Sequence, residues 1–444
     1  MAPKQQPDRH PKPAHLRPYH TLLLSFAAWK LFLFAVTLGS LLVGEAYDTS
    51  AGLVVQGPGS GGNHSVSRLI ARLTSWDAIY FVSISRRGCR FEQDWAFCGG
   101  LPVVVRGFVK GLEYLGFSSP SVSDGGAVPE ALAGILIANT AHLLSALVLY
   151  RLGQVIWRDQ ILSLVSAIMH IISPAGLFLS VPYAETSFAL LSFSGYLLLA
   201  LSCRAEQRPL YRDLYTVLAG ILFGFATAFR SNGILNGIPF AWEVLRHLPK
   251  LSQRPTDTLR QLLALGVGGV FVAAGSLGPQ AVAYSRFCSG TSGAPLRPWC
   301  QGYFPSIYTF VQQHYWNVGF LRYWALSNLP LFLLATPMLM ILLKSGVEQL
   351  SGRPRPVADK PAESARLLSL VQSAAVAQIL LAVLALTSYH VQIITRISTG
   401  YPVWCWWVAA SLIRGDKTGT RILMFMVIYA SIQGALFTSF LPPA

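Results

Sequence analysis

The chain uses acids sparingly, with 19 Asp and Glu among 444 residues, so each acid in an apolar setting is a candidate for chemistry. The first is Asp77, in SWDAIYFVSISRRGCRF (residues 75–91), beside Trp76 at the start of an aromatic run. A carboxylate at the edge of an apolar segment is partly desolvated and a better proton acceptor than a hydrated one. Asp77 is also placed to cap the helix that follows, with Ser75 as the alternative cap; cap and base are compatible roles. Glu185 follows a proline-bracketed break in SPAGLFLSVPYAETSF (residues 173–188), where the start of a helix favours an acid. Arg230 and Asn232, in TAFRSNG (residues 227–233), interrupt an apolar stretch. An arginine there requires an anion, either a phosphate-bearing ligand or a buried pair with Glu185 or Asp77.

Two further stretches carry His, aromatic and Arg residues. YTFVQQHYWNVGFLRYW (residues 308–324) holds His314, Tyr315 and Asn317, and SYHVQIITR (residues 388–396) holds His390, Gln392 and Arg396. They suit sugar stacking and phosphate contact; taken singly, such aromatics also suit an interfacial belt, and the histidines a satisfied core. One exposed acid among phosphate-capable cations suits a transferase taking both substrates from lipid. No Walker A and no Gly-x-Ser-x-Gly elbow is present, and nucleotide-driven chemistry is not the expected reading. No Cys/His spacing suited to a metal occurs, and neither a metal nor an obligatory cofactor is expected.

The elements that must position these residues are membrane helices. The chain is 53% hydrophobic and 12% charged, about half the charge of a soluble domain, with a mean hydropathy of +0.48. Apolar runs of roughly 20 residues recur, each long enough to cross a bilayer as a helix. They begin near Thr21, Ala131, Gln160, Thr186, Tyr215, Asn232, Gln261, Leu329, Leu367, Ser398 and Ile422; two are expected to be short or re-entrant, with the Tyr215 and Asn232 segments as the doubtful pair. The fold class is therefore an all-α integral membrane protein: a single polytopic domain over residues 21–444 behind a basic cytosolic tail, residues 1–20. The net charge of +15 lies mostly in short loops between spans, which fits cytoplasmic loops rather than a nucleic-acid partner. Lys30, inside the first span, reads either as a functional group or as a snorkelling side chain.

That topology places residues 45–130 and 284–328 in luminal loops, together with almost every residue singled out above. The same side holds the sequon at Asn63 and four of the six cysteines, as a disulfide-permissive lumen would have it. Cys288 with Cys300 is the favoured pair, with free thiols as the alternative. Residues 101–117 place Val104, Phe108, Leu112 and Leu115 on one face, an amphipathic helix lying in the interface. A transporter would put its polar residues near the bilayer midplane and show inverted repeats; here they gather at one interface and no repeat stands out. A non-catalytic membrane subunit would be indifferent to loss of Asp77.

WDAIYF, FEQDWAF, SPAGLFLSVPYAETSFAL, ATAFRSNG, the pieces around Tyr284 to Cys300, HYWNVGFLRYW and HVQIITR occur in that order over nearly the whole chain. In them the sequence resembles the phosphatidylinositol-glycan class V family, GPI mannosyltransferase II, of the GT-C type. The resemblance implies a multi-span GT-C-like bundle in the endoplasmic reticulum membrane that uses dolichyl-phosphate-mannose. It implies addition of the second mannose, α-1,6-linked, to the GPI precursor in the lumen, with Asp77 as the catalytic acid of the first luminal loop. Trp76, Glu185, Arg230, Asn232, His314, Tyr315, Asn317, His390, Gln392 and Arg396 would then bind donor or acceptor, and a small accessory membrane subunit is an implied partner. Two departures stand out: Cys98-Gly99-Gly100 intervenes before Pro102, and residues 183–186 read Tyr-Ala-Glu-Thr rather than Tyr-Ser-Glu-Ser.

Overall fold

The computed structural model describes residues 17–57, 65–117, 126–289, 296–352 and 356–442; the sequon at Asn63 and most of the basic tail lie outside these. Among the described residues, eight helices are long and apolar enough to cross a membrane. They are α1 (Pro18–Val43), α6 (Val128–Trp157), α8 (Glu185–Arg204), α9 (Pro209–Phe229), α11 (Pro255–Phe287), α13 (Leu329–Leu350), α14 (Pro361–Ser388) and α17 (Lys417–Thr438). Between α1 and α6 lie α2 (Ser50–Gln56), α3 (Ser65–Arg72), α4 (Asp77–Arg87) and α5 (Leu101–Tyr114). Proline occupies one of the first two positions of α1, α5, α6, α9, α11, α13 and α14, where its fixed φ suits the helix and its missing N–H costs no hydrogen bond.

Three more apolar segments form short helices: α7 (Gln160–Ile171), α10 (Ile238–His247) and α16 (Val403–Ile413). This corrects the expected doubtful pair, because the Tyr215 segment lies inside the full-length α9, whereas the Gln160, Asn232 and Ser398 segments are the short ones. Each short helix adjoins chain that leaves the α-helix, much of it in 3-10 turns: residues 172–184 after α7, 230–237 before α10, and 389–402 before α16, the last including the single turn α15 (Ile394–Ile397). Irregular backbone at membrane depth is tolerated only where protein or a cavity satisfies its polar groups. Lys30 does this for the first break, donating to the Leu179 carbonyl at 2.8 Å and the Ser180 hydroxyl at 2.7 Å, while Asn139 donates to the Ser180 carbonyl at 2.9 Å. Lys30 is thus a structural brace, neither snorkelling nor at the site. The Tyr401 hydroxyl donates to the Asn232 carbonyl at 2.9 Å in the second break, and the Trp404 indole to the Ser398 carbonyl at 3.1 Å in the third.

The bundle core is apolar, with Phe188, Phe193, Tyr196, Phe223, Tyr401 and Trp404 fully buried. α9 and α11 approach closely through glycine: a Cβ on Gly220 would fall 2.3 Å from the Gly268 Cα, the small-residue contact typical of membrane helices. One end of the bundle is basic and cross-linked by ion pairs between its loops, including Arg158–Asp359 at 2.5 Å, Arg204–Glu363 at 3.2 Å and Arg212–Asp257 at 3.0 Å. The other end carries α2–α5 and α12 (Ile307–Trp316), with the disulfide Cys89–Cys98 closing the α4–α5 connection and Cys288–Cys300 the one between α11 and α12.

α5 forms as expected, and it is a second face of it that packs on protein. Leu101, Val105 and Val109 are buried, while Val104, Phe108 and Leu115 are exposed. The helix is apolar on both sides, one packing on protein and the other facing outward. Its Arg106 donates to the Ser85 carbonyl at 2.8 Å and the Arg86 carbonyl at 3.0 Å, satisfying the open C-terminal end of α4.

Candidate active site

All three irregular breaks line a single cavity of about 530 Å³ at the disulfide-bonded end, and the start of α4 closes it. That volume is ordinary for a ligand site, roughly 300–1,000 Å³. Asp77 is the first residue of α4 and Glu185 the first of α8, so two helix N-termini bring their acids to one place. Arg396, from the third break, lies between them: its guanidinium is 3.3 Å from the Asp77 carboxylate and 4.0 Å from Glu185. Arg230, from the second break, pairs with the same Glu185 oxygen at 3.2 Å. The four groups carry no net charge. Glu185 is wholly buried, Arg396 and Arg230 are 12% and 17% exposed, and Asp77 is the most open at 36%.

This arrangement decides the reading of Asp77. The N-cap position belongs to Trp76, whose side chain makes no cap bond. The Asp77 carboxylate turns to Arg396 instead, so the capping role is not the one the structure displays. Trp76 adopts φ 60° and ψ −135°, a left-handed backbone that costs a non-glycine residue about 1–3 kcal/mol and is kept where surrounding packing over-determines it. Its ring stacks on Phe440 with centroids 5.2 Å apart. The Arg396 guanidinium lies 4.4 Å from the Phe178 ring centroid and 5.4 Å from that of Tyr183, which holds the cation without neutralising it.

Of the residues expected to bind substrate, Trp76, Arg230, Asn232, His390, Gln392 and Arg396 line the cavity, and Glu185 lies behind two of them. The His390 imidazole meets the Tyr323 ring edge-on, with centroids 5.0 Å apart. Gln392 accepts from the Tyr323 hydroxyl at 3.2 Å, and Asn232 lies 3.4 Å from the Tyr401 hydroxyl. His314, Tyr315 and Asn317 lie elsewhere: all three are exposed and outside the cavity. α12 turns Tyr308, Gln312 and Trp316 inward, spaced four residues apart on one face. His314 stacks instead on Phe310 at 5.0 Å. Asn317 ends the helix in the left-handed conformation, φ 49° and ψ 37°, a common stop.

A second part of the lining is aromatic and uncharged, and residue types alone do not single it out. Tyr80, one turn beyond Asp77, stacks on Phe97 at 4.9 Å, and Phe97 meets the Trp316 edge at 5.7 Å. Burial, with the charges of Asp77 and Asp94, pushes the Tyr80 phenol up, so it keeps its proton. Asp94, in the FEQDWAF stretch, is 2% exposed and builds the turn that carries Phe97: it accepts from Arg87 at 2.6 and 2.8 Å and from the Arg90 and Phe91 amides at 2.9 Å. Burial opposes its charge, yet those bonds hold its carboxyl below the usual range. The Cys98-Gly99-Gly100 departure has a clear use, since a Cβ on Gly100, at φ 56°, would fall 2.5 Å from Phe229. The loop therefore presses onto the residue before Arg230. Among the described residues no group of three or more His, Cys, Asp or Glu gathers that would hold a metal.

Residues 23–444 match the family described as Mannosyltransferase (PIG-V). The chain is 67% identical to GPI mannosyltransferase 2 of Chaetomium globosum, covering 100% of both chains. It is 44% identical to GPI mannosyltransferase 2 of Gibberella zeae, covering 96% of this chain and 98% of that one. Among solved structures, the Archaeoglobus fulgidus oligosaccharyltransferase tethered with an acceptor peptide overlaps 93% of this chain and 55% of its own, with a TM-score of 0.43 and 13% identity.

Proposed function

The chain belongs to the PIG-V mannosyltransferase family, and from that premise we propose that it uses dolichyl-phosphate-mannose to add the second mannose, in α-1,6 linkage, to the mono-mannosylated GPI precursor. It is a multi-pass membrane glycosyltransferase of GPI biosynthesis. In the proposed reading the site end faces the lumen of the endoplasmic reticulum and the N-terminus is cytosolic. Support comes from the loops: the basic end suits the cytosol, and both disulfides suit the lumen.

The observation that carries the chemistry is the Asp77–Arg396–Glu185–Arg230 quartet, in which Asp77, Arg230 and Arg396 line one cavity and the buried Glu185 lies behind the two arginines. The donor is a phosphodiester with one negative charge, and Arg230 and Arg396 are the cations that would receive it. Arg396 then exchanges Asp77 for the phosphate, and Asp77 is free to take the proton of the acceptor hydroxyl. That oxygen attacks the anomeric carbon from the face opposite the phosphate, the bond to the phosphate oxygen breaks, and the configuration inverts. The leaving dolichyl phosphate gains a negative charge as Asp77 loses one, so the charge of the site is conserved. Because phosphate leaves readily, one carboxylate suffices where glycoside hydrolysis uses two. No metal step enters this mechanism; activity should persist in EDTA.

The deciding experiment is complementation of cells lacking the second GPI mannose, with wild type and Asp77→Asn, reading the glycolipids that accumulate. Wild type should restore elongation, whereas Asp77→Asn, present in membranes at wild-type level, should leave the one-mannose precursor. Elongation by the variant would remove Asp77 from the mechanism, and accumulation of another precursor with wild type would move the enzyme to another step.

A further inference from the structure

The cavity has two chemically different halves. Asp77, Arg230 and Arg396 line one. The other is made by Tyr80, Phe97, Trp316, Tyr308 and Gln312, none of which carries a charge. This wall is built rather than incidental. Phe97 is fixed by the Asp94 turn and by the Cys89–Cys98 bridge beside it, and Trp316 ends a helix whose Ser306 cap accepts from the Thr309 amide at 3.2 Å.

Resting on the function proposed above, we infer that the Tyr80–Phe97–Trp316 wall is the subsite for the acceptor mannose ring, distinct from the subsite of the donor sugar. A pyranose has one face of C–H groups, which packs on aromatic rings, and a rim of hydroxyls that need partners. The wall offers both. The Tyr80 hydroxyl accepts from the Gln93 amide at 3.3 Å and the Tyr308 hydroxyl from Ser231 at 2.9 Å, so each phenol retains its own proton to donate.

Position separates the two sugars. The donor mannose is one bond from its phosphate and is held near Arg230 and Arg396. The acceptor hydroxyl must reach Asp77 from the side away from the phosphate, and Tyr80 projects one helical turn further along α4 from Asp77. A ring resting on the wall presents its hydroxyl to that carboxylate.

The test is steady-state transfer in membranes, varying dolichyl-phosphate-mannose and a mono-mannosylated GPI precursor separately. Trp316→Leu should raise the KM for the acceptor by about five- to tenfold, the scale of one lost aromatic contact, with the donor KM unchanged. Trp316→Phe, which keeps a ring, should recover most of the loss and so excludes misfolding as the cause. Phe304→Leu, in the same loop but 87% exposed, should change neither KM. A rise in donor KM instead would assign the wall to the donor sugar, and unchanged KM values in Trp316→Leu would remove it from sugar binding; either result overturns the inference. Absence of transfer by wild type from this donor would instead sink the underlying function.

Discussion

At the basic end, Arg158 meets Asp359 at 2.5 Å with side chains 35% and 76% exposed; at the site end, Arg230 meets Glu185 at 3.2 Å with the carboxylate wholly buried. The shorter contact is the weaker determinant of structure. Exposed pairs are worth about 0–1 kcal/mol because water competes for both partners, whereas removing one partner of a buried pair strands the other at about 3–5 kcal/mol. The basic end can spend charge freely because its loops are wet. The cavity gathers four balanced charges in the Asp77–Arg396–Glu185–Arg230 quartet, so a further one from a phosphate finds cations already positioned.

Five substitutions test that contrast. Asp77→Asn should lower mannose transfer by about 10²–10⁴-fold, the usual contribution of a positioned base, with protein level unchanged; near-normal turnover in purified protein would reduce the quartet to a structural device. Glu185→Gln leaves two guanidinium groups without their shared counter-charge and should destabilise the fold by about 3–5 kcal/mol, visible as a lower melting temperature in detergent. An unchanged melting point would show that the two ends are alike after all. Arg230→Ala should cost about 10²–10³-fold in kcat/KM, as losing one preorganised donor does elsewhere, chiefly through donor use; an unaltered donor KM would separate Arg230 from the phosphate. Gly100→Ala should cost more than about 1 kcal/mol, since alanine is strained at positive φ, and should weaken donor use by displacing Phe229 beside Arg230. Arg158→Ala should stay within about 1 kcal/mol of wild type in melting and keep full activity; a larger loss would make the basic end more than a solvated surface.

Hydropathy and loop charge were enough to locate all eleven apolar segments, because a bilayer leaves the backbone few options. They did not tell which segments fall short, since the ends of α7 and α16 depend on tertiary partners such as Lys30 and Trp404. Asp77, Glu185, Arg230 and Arg396 stood out because a charge among apolar residues is rare and needs a reason. Tyr80, Phe97 and Trp316 did not, because 12% of the chain is aromatic and residue type alone carries no signal there. His314, Tyr315 and Asn317 were chosen by chemistry without regard to helical face, and the face decides which side chains enter a cavity. The four cysteines of the site end suggested disulfides, but the Cys89–Cys98 bridge depends on a turn that Asp94 organises from within.

The broken spans also bear on how the protein is made. α7, α10 and α16 have 12, 10 and 11 residues, at most about 18 Å of helix against a hydrocarbon layer of about 30 Å. None can be stably threaded into lipid by its own hydrophobicity, so each must wait for longer neighbours to shelter its open backbone. Insertion therefore sets the scaffold first and the reaction centre last. An inherited or engineered defect in any of the three breaks is expected to surface during biogenesis, as misthreaded chain cleared by quality control, before it is ever read as a slow enzyme.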